Sequence, residues 1–460
     1  MTAVLSTLSG AETPGPSSQI ADGPLLATVG AEVTVPLLDG PATRYVNLDV
    51  AASAPALTRV QYAVLDATPY YSSVHRGAGY LSQVSTKRYE DARIAVREFV
   101  QAEPGHSVIF TRNTTDALNL LASAVPGRVL VLDVEHHANL LPWRRGEVDT
   151  LTARPTVAQT LDAIAAELNQ RRYALLAVTG LSNVTGEALP LDTVAGLAHA
   201  FGARLAVDAA QLAVHEPIEL SRTGIDYLAL SGHKLYAPYG CGALVGRPDW
   251  LDAAPPHLAG GGAVRQVSRL GAEWATGPAR HEAGSPNVLG AIALGEACRA
   301  FAELDRPTWR EHERTLTEEL RTGLAGVPEV ELARLWPDSP EPSGIVTFSI
   351  AGLAPNVVAA ALSAEHGIGV RDGKFCAHPL LDRLGLAHGA VRASLGVHSR
   401  REDVTRLIGA VRQLVASGPA AEYESDPAGY TFPVNDPRRL PKRLGGGSLS
   451  EGVLGTVGRR

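Results

Sequence analysis

Between residues 90 and 300 the chain repeats one pattern, in which a short apolar run is followed by a longer segment with helical periodicity. The apolar runs cover residues 107–111, 128–132, 174–178, 204–207, 227–230 and 242–245. Segments with a helical period, such as 160–171, lie between them. Strands that are apolar throughout and alternate with helices form parallel sheets covered by helices. The pattern therefore predicts an α/β core with a mostly parallel sheet.

A second group of elements follows this core. A long helical stretch begins near residue 300 and includes 314–324; an apolar run at 344–349 and helical patterns at 359–366 and 401–417 come after it. Because 460 residues exceed what one hydrophobic core usually supports, we predict a smaller α+β domain here.

The two ends of the chain differ in composition from the rest. Residues 1–25 are rich in Ser, Gly, Pro and Thr and predict a flexible leader. Residues 419–460 are rich in Pro, Gly and Arg and predict a solvated or draped tail. The alternative for residues 437–460 is a basic docking arm, because six basic residues stand there against one acidic residue.

Charge and cysteine content narrow the class of protein. With 41 basic and 48 acidic residues the net charge is −7, which argues against a nucleic-acid partner. Residues 1–43 contain no Lys or Arg, and no apolar stretch reaches the ~18 residues of a membrane span, so we expect a cytoplasmic protein without membrane contact. The cysteines Cys241, Cys298 and Cys376 lack metal-ligand spacing, and we expect neither a metal nor a disulfide framework.

The chain contains only four lysines, and Lys234 lies between an apolar run and a glycine-containing turn. Upstream, Asp208 ends another apolar run, and Gln211 follows it. A lysine that holds an aldehyde cofactor needs a carboxylate near the pyridine nitrogen, because the protonated ring accepts electrons during carbanion chemistry. Lys234 and Asp208 are candidates for this pair. An apolar strand that happens to end in Asp, with an unrelated surface Lys, is the alternative.

Eight motifs occur in an order and spacing typical of one family. They are His-Arg-Gly at 75–77, Arg-Asn-Thr-Thr-Asp-Ala-Leu-Asn at 112–119, Glu-His-His-Ala-Asn-Leu-Leu-Pro-Trp at 135–143, Ser-Asn-Val-Thr-Gly at 182–186, Val-Asp-Ala-Ala-Gln at 207–211, Ser-Gly-His-Lys at 231–234, Glu-Ala-Gly-Ser-Pro-Asn at 282–287 and Val-Arg-Ala-Ser-Leu at 391–395. From residue 45 to 417 the chain resembles the class V aminotransferase-fold enzymes, and within them the group II cysteine desulfurases, which are similar to selenocysteine lyases.

The resemblance implies a fold-type I transferase that depends on pyridoxal 5'-phosphate and has a mostly parallel seven-stranded sheet. It implies an N-terminal segment (26–54) that joins the small domain, a large cofactor domain (55–300) and a small domain (301–418) that carries the catalytic cysteine loop. It also implies a homodimer.

The resemblance assigns roles to individual residues. The cofactor residues would be Asn113, Thr114, Thr115, His136, Asn183, Asp208, Gln211, Ser231, His233, Lys234 and, from a partner subunit, Ser285. The substrate residues would be His75, Arg371 and Arg392, with Arg392 holding the α-carboxylate. The catalytic residues would be Lys234, Cys376 and His136, with His136 stacked on the pyridine ring.

Cys376 lies in Arg-Asp-Gly-Lys-Phe-Cys-Ala-His-Pro, which resembles the loop of group II desulfurases whose cysteine takes sulfur from the substrate. Neighbouring positive charge from Arg371 and Lys374 would favour its thiolate. The alternative for any free cysteine is a buried apolar side chain. Lys374 and Phe375 replace the His-His pair common in that group, and Asp372 is also unusual.

We therefore predict an enzyme that converts L-cysteine to L-alanine and an enzyme persulfide, and passes sulfur to an acceptor protein. The enzymatic alternative is a C–S or C–Se lyase, acting on selenocysteine or on a cysteine conjugate by β-elimination, or another reaction of the class V aminotransferase fold such as epimerisation, because one fold hosts many reactions. A non-catalytic scaffold for sulfur-transfer partners is the alternative from another class.

Overall fold

The computed structural model describes residues 22–340, 342–427 and 429–442. In chain order its strands are β1 Thr34–Val35, β2 Thr43–Arg44, β3 Val46–Asn47, β4 Ser107–Thr111, β5 Val129–Leu132, β6 Val148–Leu151, β7 Leu175–Thr179, β8 Arg204–Asp208, β9 Tyr227–Ser231, β10 Gly242–Gly246, β11 Val264–Ser268, β12 Gly271–Trp274, β13 Val330–Leu332, β14 Ile345–Ile350, β15 Ile368–Gly369, β16 Arg371–Gly373, β17 Ala390–Ser394, β18 Tyr423–Ser425 and β19 Thr431–Pro433.

The α-helices are α1 Thr58–Ala67, α2 Tyr80–Phe99, α3 Thr114–Ala124, α4 Val157–Gln170, α5 Leu191–Ala200, α6 Leu212–His215, α7 Leu220–Thr223, α8 Pro248–Ala253, α9 Val288–Ala302, α10 Arg306–Ala325, α11 Pro355–His366, α12 His378–Arg383 and α13 Arg401–Ser417. Short 3-10 helices cover Thr68–Tyr70, His137–Asn139, Pro142–Arg145 and Gly277–Arg280. Among the described residues, no helix is both long enough and apolar enough to cross a membrane.

The main sheet has seven strands in the order β4-β10-β9-β8-β7-β5-β6. Strand β10 pairs antiparallel with both β4 and β9, and the remaining pairs are parallel. Every residue of β5, β9 and β10 is buried, as expected for strands covered on both faces by helices. The predicted α/β class with a mostly parallel seven-stranded sheet is confirmed. Six of the seven strands coincide with the apolar runs.

A second core surrounds an antiparallel sheet of four strands in the order β13-β14-β17-β16. Its apolar residues come from these strands, from α10, α11 and α13, and from the N-terminal residues Val46 and Leu48. Strand β3 pairs in parallel with β15, so the N-terminal segment is attached to this second core. The helical stretch predicted near residue 300 is divided into α9 and α10, because Asp305 caps α10 by accepting a hydrogen bond from the Thr308 N–H at 3.0 Å.

The end segments are only partly described. Residues 1–21 and 443–460, where most of the predicted leader and the end of the predicted tail fall, lie outside the described residues. The N–H groups of Leu25, the last residue of the predicted leader, and of Leu26 donate to the Val397 carbonyl. Beyond α13 the chain forms the β18–β19 hairpin, which the sequence did not predict. The Tyr423 hydroxyl donates to Glu365 of α11 at 2.7 Å, so the hairpin lies against that helix.

The Glu187 carboxylate attaches the segment between β13 and β14 to the large domain. It is buried between β7 and α5 and accepts hydrogen bonds from the N–H groups of Leu335 (2.7 Å) and Trp336 (2.9 Å) and from the Ser339 hydroxyl (3.3 Å). Buried N–H groups without acceptors are costly, so this one side chain fixes the segment that leads from β13 to β14.

Glu187→Ala should lower the thermal unfolding midpoint by several degrees. The substitution leaves the buried N–H groups of Leu335 and Trp336 without an acceptor, at about 1–3 kcal/mol each. Glu331→Ala is the matched control, because Glu331 is exposed on nearby β13. Equal midpoints for the two variants would contradict this role of Glu187.

Candidate active site

A cavity of about 290 Å³ lies where the carboxyl ends of β8 and β9 face strands β16 and β17 of the smaller sheet. Ligand sites in α/β proteins form at the carboxyl ends of the parallel strands. The lining residues are Ala51, Ala52, Asn113, Thr114, Thr115, His136, Ala138, Asn183, Asp208, Ala210, Ser231, His233, Lys234, Arg371, Phe375, Cys376 and Arg392.

Lys234 enters the cavity from the tight turn that follows β9. The turn requires Gly232, because a Cβ at that position would lie 2.5 Å from the Cys241 carbonyl oxygen. Removal of the amine from water lowers the pKa of Lys234 to about 8; the Asp208 carboxylate opposes this shift and the Arg392 charge adds to it. The uncharged, nucleophilic amine is therefore far more abundant near neutral pH than for an ordinary lysine.

Asp208 is the last residue of β8, and its side chain is 4% exposed. One carboxylate oxygen accepts a hydrogen bond from the Ala210 N–H at 2.9 Å. Burial raises the pKa of Asp208, and the nearby Lys234 charge lowers it. A cationic group in the cavity would stabilise the ionised carboxylate.

The N-terminus of α3 forms one wall of the cavity. Asn113 caps the helix by accepting a hydrogen bond from the Asp116 N–H at 3.0 Å. The Thr114 N–H donates to the Ser231 hydroxyl at 2.8 Å, and the two hydroxyls are also 2.8 Å apart. With Thr115 and His233 beside them, these groups form a set of donors at the positive end of a helix dipole, which suits a phosphate.

His136 presents a neutral imidazole to the cavity. Its Nδ1 accepts a hydrogen bond from the Ala138 N–H at 3.0 Å, so the ring proton is on Nε2. Burial, with the positive charge of Lys234 as the next cause, lowers the pKa of His136 to about 3. The His136 imidazole is therefore neutral at pH 7, which suits stacking on an aromatic group.

Arg392 projects from the middle of β17 and is 3% exposed. Its Nη1 donates to the Asn183 carbonyl at 2.9 Å, and its Nη2 donates to Asp49 at 3.3 Å. Its Nε is buried and has no hydrogen-bond partner within the described part of the chain. Burial lowers the pKa of Arg392, and Asp49 opposes this effect. Arg392 lines the cavity, and its guanidinium has five N–H donors, more than these two bonds use, so donors remain for an incoming carboxylate. Arg371 lies opposite in register on β16.

Cys376 lies on the short loop between β16 and α12 and is the one exposed cysteine of the three. Its carbonyl accepts a hydrogen bond from the His137 N–H at 2.8 Å, and the preceding carbonyl, of Phe375, accepts one from Asn183 Nδ2 at 2.8 Å. Segments that follow β5 and β7 of the main sheet therefore hold this loop of the smaller domain at the cavity. Burial raises the pKa of the other two thiols, Cys241 and Cys298.

Three residues predicted for the site do not line the cavity. Gln211 lies behind it, where its Nε2 donates to the Ala51 carbonyl at 2.8 Å and its buried Oε1 has no partner in the described chain. His75 is exposed and contacts Glu90 at 3.0 Å. Ser285 follows Gly284, whose carbonyl accepts a hydrogen bond from Arg76, so the His75 and Ser285 loops meet each other outside the cavity.

Sequence reasoning missed Asp49 and Phe375 as parts of the site. Asp49 pairs with Arg392, and burial raises its pKa while Arg392 opposes the shift. The Phe375 ring lies beneath the Arg392 guanidinium, with its centroid 5.0 Å from Cζ. The proximity of Phe375 to the cysteine was visible in the sequence, but its contact with a residue on another strand was not.

Comparisons with known proteins agree with the chemistry of this cavity. Residues 46–407 match the family described as aminotransferase class-V. The chain belongs to this family. A probable cysteine desulfurase of Vibrio cholerae is 34% identical over 387 residues, which covers 80% of this chain and 93% of that protein.

Two solved structures resemble this class V protein. The apo cysteine desulfurase from Thermococcus onnurineus NA1 is 32% identical, with a TM-score of 0.75. The S-sulfonic acid form of the cysteine desulfurase CsdA from Escherichia coli is 34% identical, with a TM-score of 0.72. Each comparison covers 81% of this chain and 95% of the other. The predicted family and the predicted resemblance to cysteine desulfurases are confirmed.

The family implies pyridoxal phosphate, and the cavity fits that group in three respects. The α3 N-terminus with Ser231 suits its phosphate, and Asp208 suits a protonated ring nitrogen. Lys234 supplies, in the same cavity, the amine that an aldehyde cofactor requires.

Competitive acetylation of the cofactor-free protein should show Lys234 reacting half-maximally near pH 8, because only the uncharged amine reacts and its pKa is about 8. Lys87, 75% exposed, provides an internal standard for reagent concentration. Asp208→Asn should move the Lys234 midpoint to lower pH, because it removes the charge that favours the ammonium form. A midpoint that moves to higher pH would contradict the proximity of the two groups.

Proposed function

We propose that this protein is a cysteine desulfurase that depends on pyridoxal phosphate, converts L-cysteine to L-alanine and collects the sulfur as a persulfide on Cys376. The observation that carries the proposal is that the exposed Cys376 lines the same cavity as Lys234 and Arg392. One cavity thus contains an amine nucleophile, a carboxylate-binding cation and a thiol. A non-catalytic scaffold would need none of these together.

The cofactor residues divide by chemistry. Asn113, Thr114, Thr115, Ser231 and His233 would bind the phosphate, and Lys234 would hold the aldehyde carbon. Asp208 would pair with the ring nitrogen, His136 would stack on the ring, and Asn183 and Gln211 would face its substituents. When bound, pyridoxal phosphate stabilises negative charge at the substrate α-carbon.

Arg392 orients the substrate by binding its α-carboxylate through guanidinium N–H groups at the cavity. Lys234, with its pKa lowered to about 8 by burial, accepts the α-proton near neutral pH and returns a proton later. Arg371, at the exposed edge of the cavity, adds positive charge near the carboxylate and the thiol. His136 stays neutral throughout, so it presents an uncharged face to the ring.

The thiolate of Cys376 attacks the substrate sulfur. A sulfur–sulfur bond forms as the carbon–sulfur bond breaks, and the electron pair that remains on carbon takes up a proton to give the methyl group of L-alanine. The persulfide then passes sulfur to a second nucleophile, for which an acceptor protein in the cytoplasm is the proposed partner.

We also propose that the protein is a homodimer in which Ser285 and His75 reach the partner's cavity. Both residues lie outside their own cavity, in loops that meet through Arg76. Beside them is an apolar groove whose members include Tyr70, Tyr71 and Tyr80, at 50%, 54% and 74% exposure. Exposed apolar surface of this kind is typical of an interface between subunits.

Tyr80→Glu should shift the sedimentation coefficient toward that of a monomer, because a charge in a closed apolar interface is unpaired. Tyr430→Glu is the matched control, since Tyr430 is 54% exposed on the remote C-terminal hairpin segment. A monomeric wild type, or a dimer that Tyr80→Glu leaves unchanged, would contradict the proposed interface.

Cys376→Ala should reduce alanine formation from L-cysteine by at least about 100-fold, because the sulfur loses its acceptor. Alanine formation from selenocysteine should persist, since the weaker C–Se bond breaks without a thiolate. A persulfide-trapping reagent should label Cys376 in the wild type.

Cys298→Ala is the control, because the Cys298 thiol is buried in α9 and away from the cavity. Undiminished turnover of cysteine by Cys376→Ala, or pyruvate and ammonia in place of alanine, would transfer the assignment to an elimination-type lyase.

A further inference from the structure

Phe375 occupies a demanding position next to Cys376. Its φ of +51° and that of Cys376, +54°, lie in the left-handed region, which is unfavourable for a bulky side chain. The Phe375 side chain is nevertheless well buried, and its carbonyl is held by Asn183 Nδ2. Surrounding contacts therefore maintain a backbone shape that the residue would not adopt alone.

The Phe375 ring contacts Arg392, the cation proposed to bind the substrate carboxylate. The Arg392 guanidinium carbon lies over the ring, 5.0 Å from the centroid, in the geometry of a cation–π interaction. A phenyl ring stabilises the cation without accepting from its N–H groups. The Asn183 carbonyl and Asp49 each accept one hydrogen bond from the guanidinium, and the ring fixes its plane without using any of the remaining N–H donors.

We propose that Phe375 is a positioning residue that holds the Arg392 guanidinium ready for the substrate carboxylate, and so ties the carboxylate site to the loop that carries Cys376. This inference rests on the proposed function, because it takes an α-amino acid as the substrate. A histidine at this position would bring a ring nitrogen that can accept from Arg392, and Phe375 avoids that competition.

The test compares two amines that differ only by the carboxylate. L-Alanine and ethylamine are titrated into the pyridoxal-phosphate-loaded enzyme, and binding is followed by cofactor absorbance. Phe375→Leu should weaken L-alanine binding roughly fivefold and leave ethylamine binding within about twofold of wild type. Phe375→Tyr, which retains the ring face, should bind both amines as the wild type does.

Two further variants make the comparison specific. Arg392→Ala should remove the preference for L-alanine over ethylamine, which establishes the full size of the carboxylate effect. Phe110→Leu is the matched control, because the Phe110 ring lies 4.8 Å from the Arg93 guanidinium outside the cavity; both affinities should be unchanged. If Phe375→Leu does not fold, Phe375→Met, an unbranched and more adaptable non-aromatic side chain, provides the same comparison.

Equal weakening of both amines by Phe375→Leu, or an unchanged affinity for L-alanine, would overturn the proposal. These outcomes are distinct from failure of the proposed function. If the proposed function failed, the wild-type enzyme would release no alanine from L-cysteine. Its preference for L-alanine over ethylamine would still test the contact between Phe375 and Arg392.

Discussion

A single cavity is lined by two cations, Lys234 and Arg392, and one carboxylate, Asp208. Removal from water disfavours each of these charges. The opposite charges limit that cost without cancelling it. The pKa of Lys234 consequently stays below its ordinary value, although its neighbour is an anion. The same electrostatic balance explains the neutral His136, because a further cation beside Lys234 would be strongly disfavoured.

This balance requires both hydrophobic cores to be held together. The amine and the carboxylate come from the seven-stranded sheet, whereas the guanidinium and the thiol come from the four-stranded sheet and its adjoining loop. Apolar residues of the smaller domain, such as Leu380 and Leu381, pack into the main core, and buried polar contacts add to this. Glu187 fixes the segment before β14, and Asn183 holds both the Phe375 carbonyl and, through its own carbonyl, Arg392. The candidate active site therefore exists only where the two domains meet.

Much of the fold followed from apolar periodicity, because fully buried strands are apolar along their whole length. Strand β6, Val-Asp-Thr-Leu at the sheet edge, was not predicted because it is not continuously apolar. The cap at Asp305 divided a helical stretch that periodicity alone joined. The β18–β19 hairpin was not predicted because its short strands depend on contacts with α11 more than on a pattern of apolar residues.

The candidate site was predictable wherever motifs follow strands, as at Asp208 and Lys234. The structure brings these two together with His136, Arg392 and Cys376 in one cavity. The pairing of Phe375 with Arg392 could not be predicted, since residues on different elements meet only through the tertiary fold. The places of Ser285 and His75 outside the cavity likewise depend on how loops distant in sequence approach one another.

The loop that carries Cys376 also limits how far its sulfur can travel. Only residues 374–377 separate the end of β16 at Gly373 from the start of α12 at His378. Four residues extend to at most about 14 Å, and both ends are anchored in folded elements, so the thiol can rise only a fraction of that length. Under the proposed function, Cys376 cannot swing out to a distant recipient. The recipient must instead insert its own nucleophile into the mouth of the cavity, which favours one carried on a narrow, protruding segment.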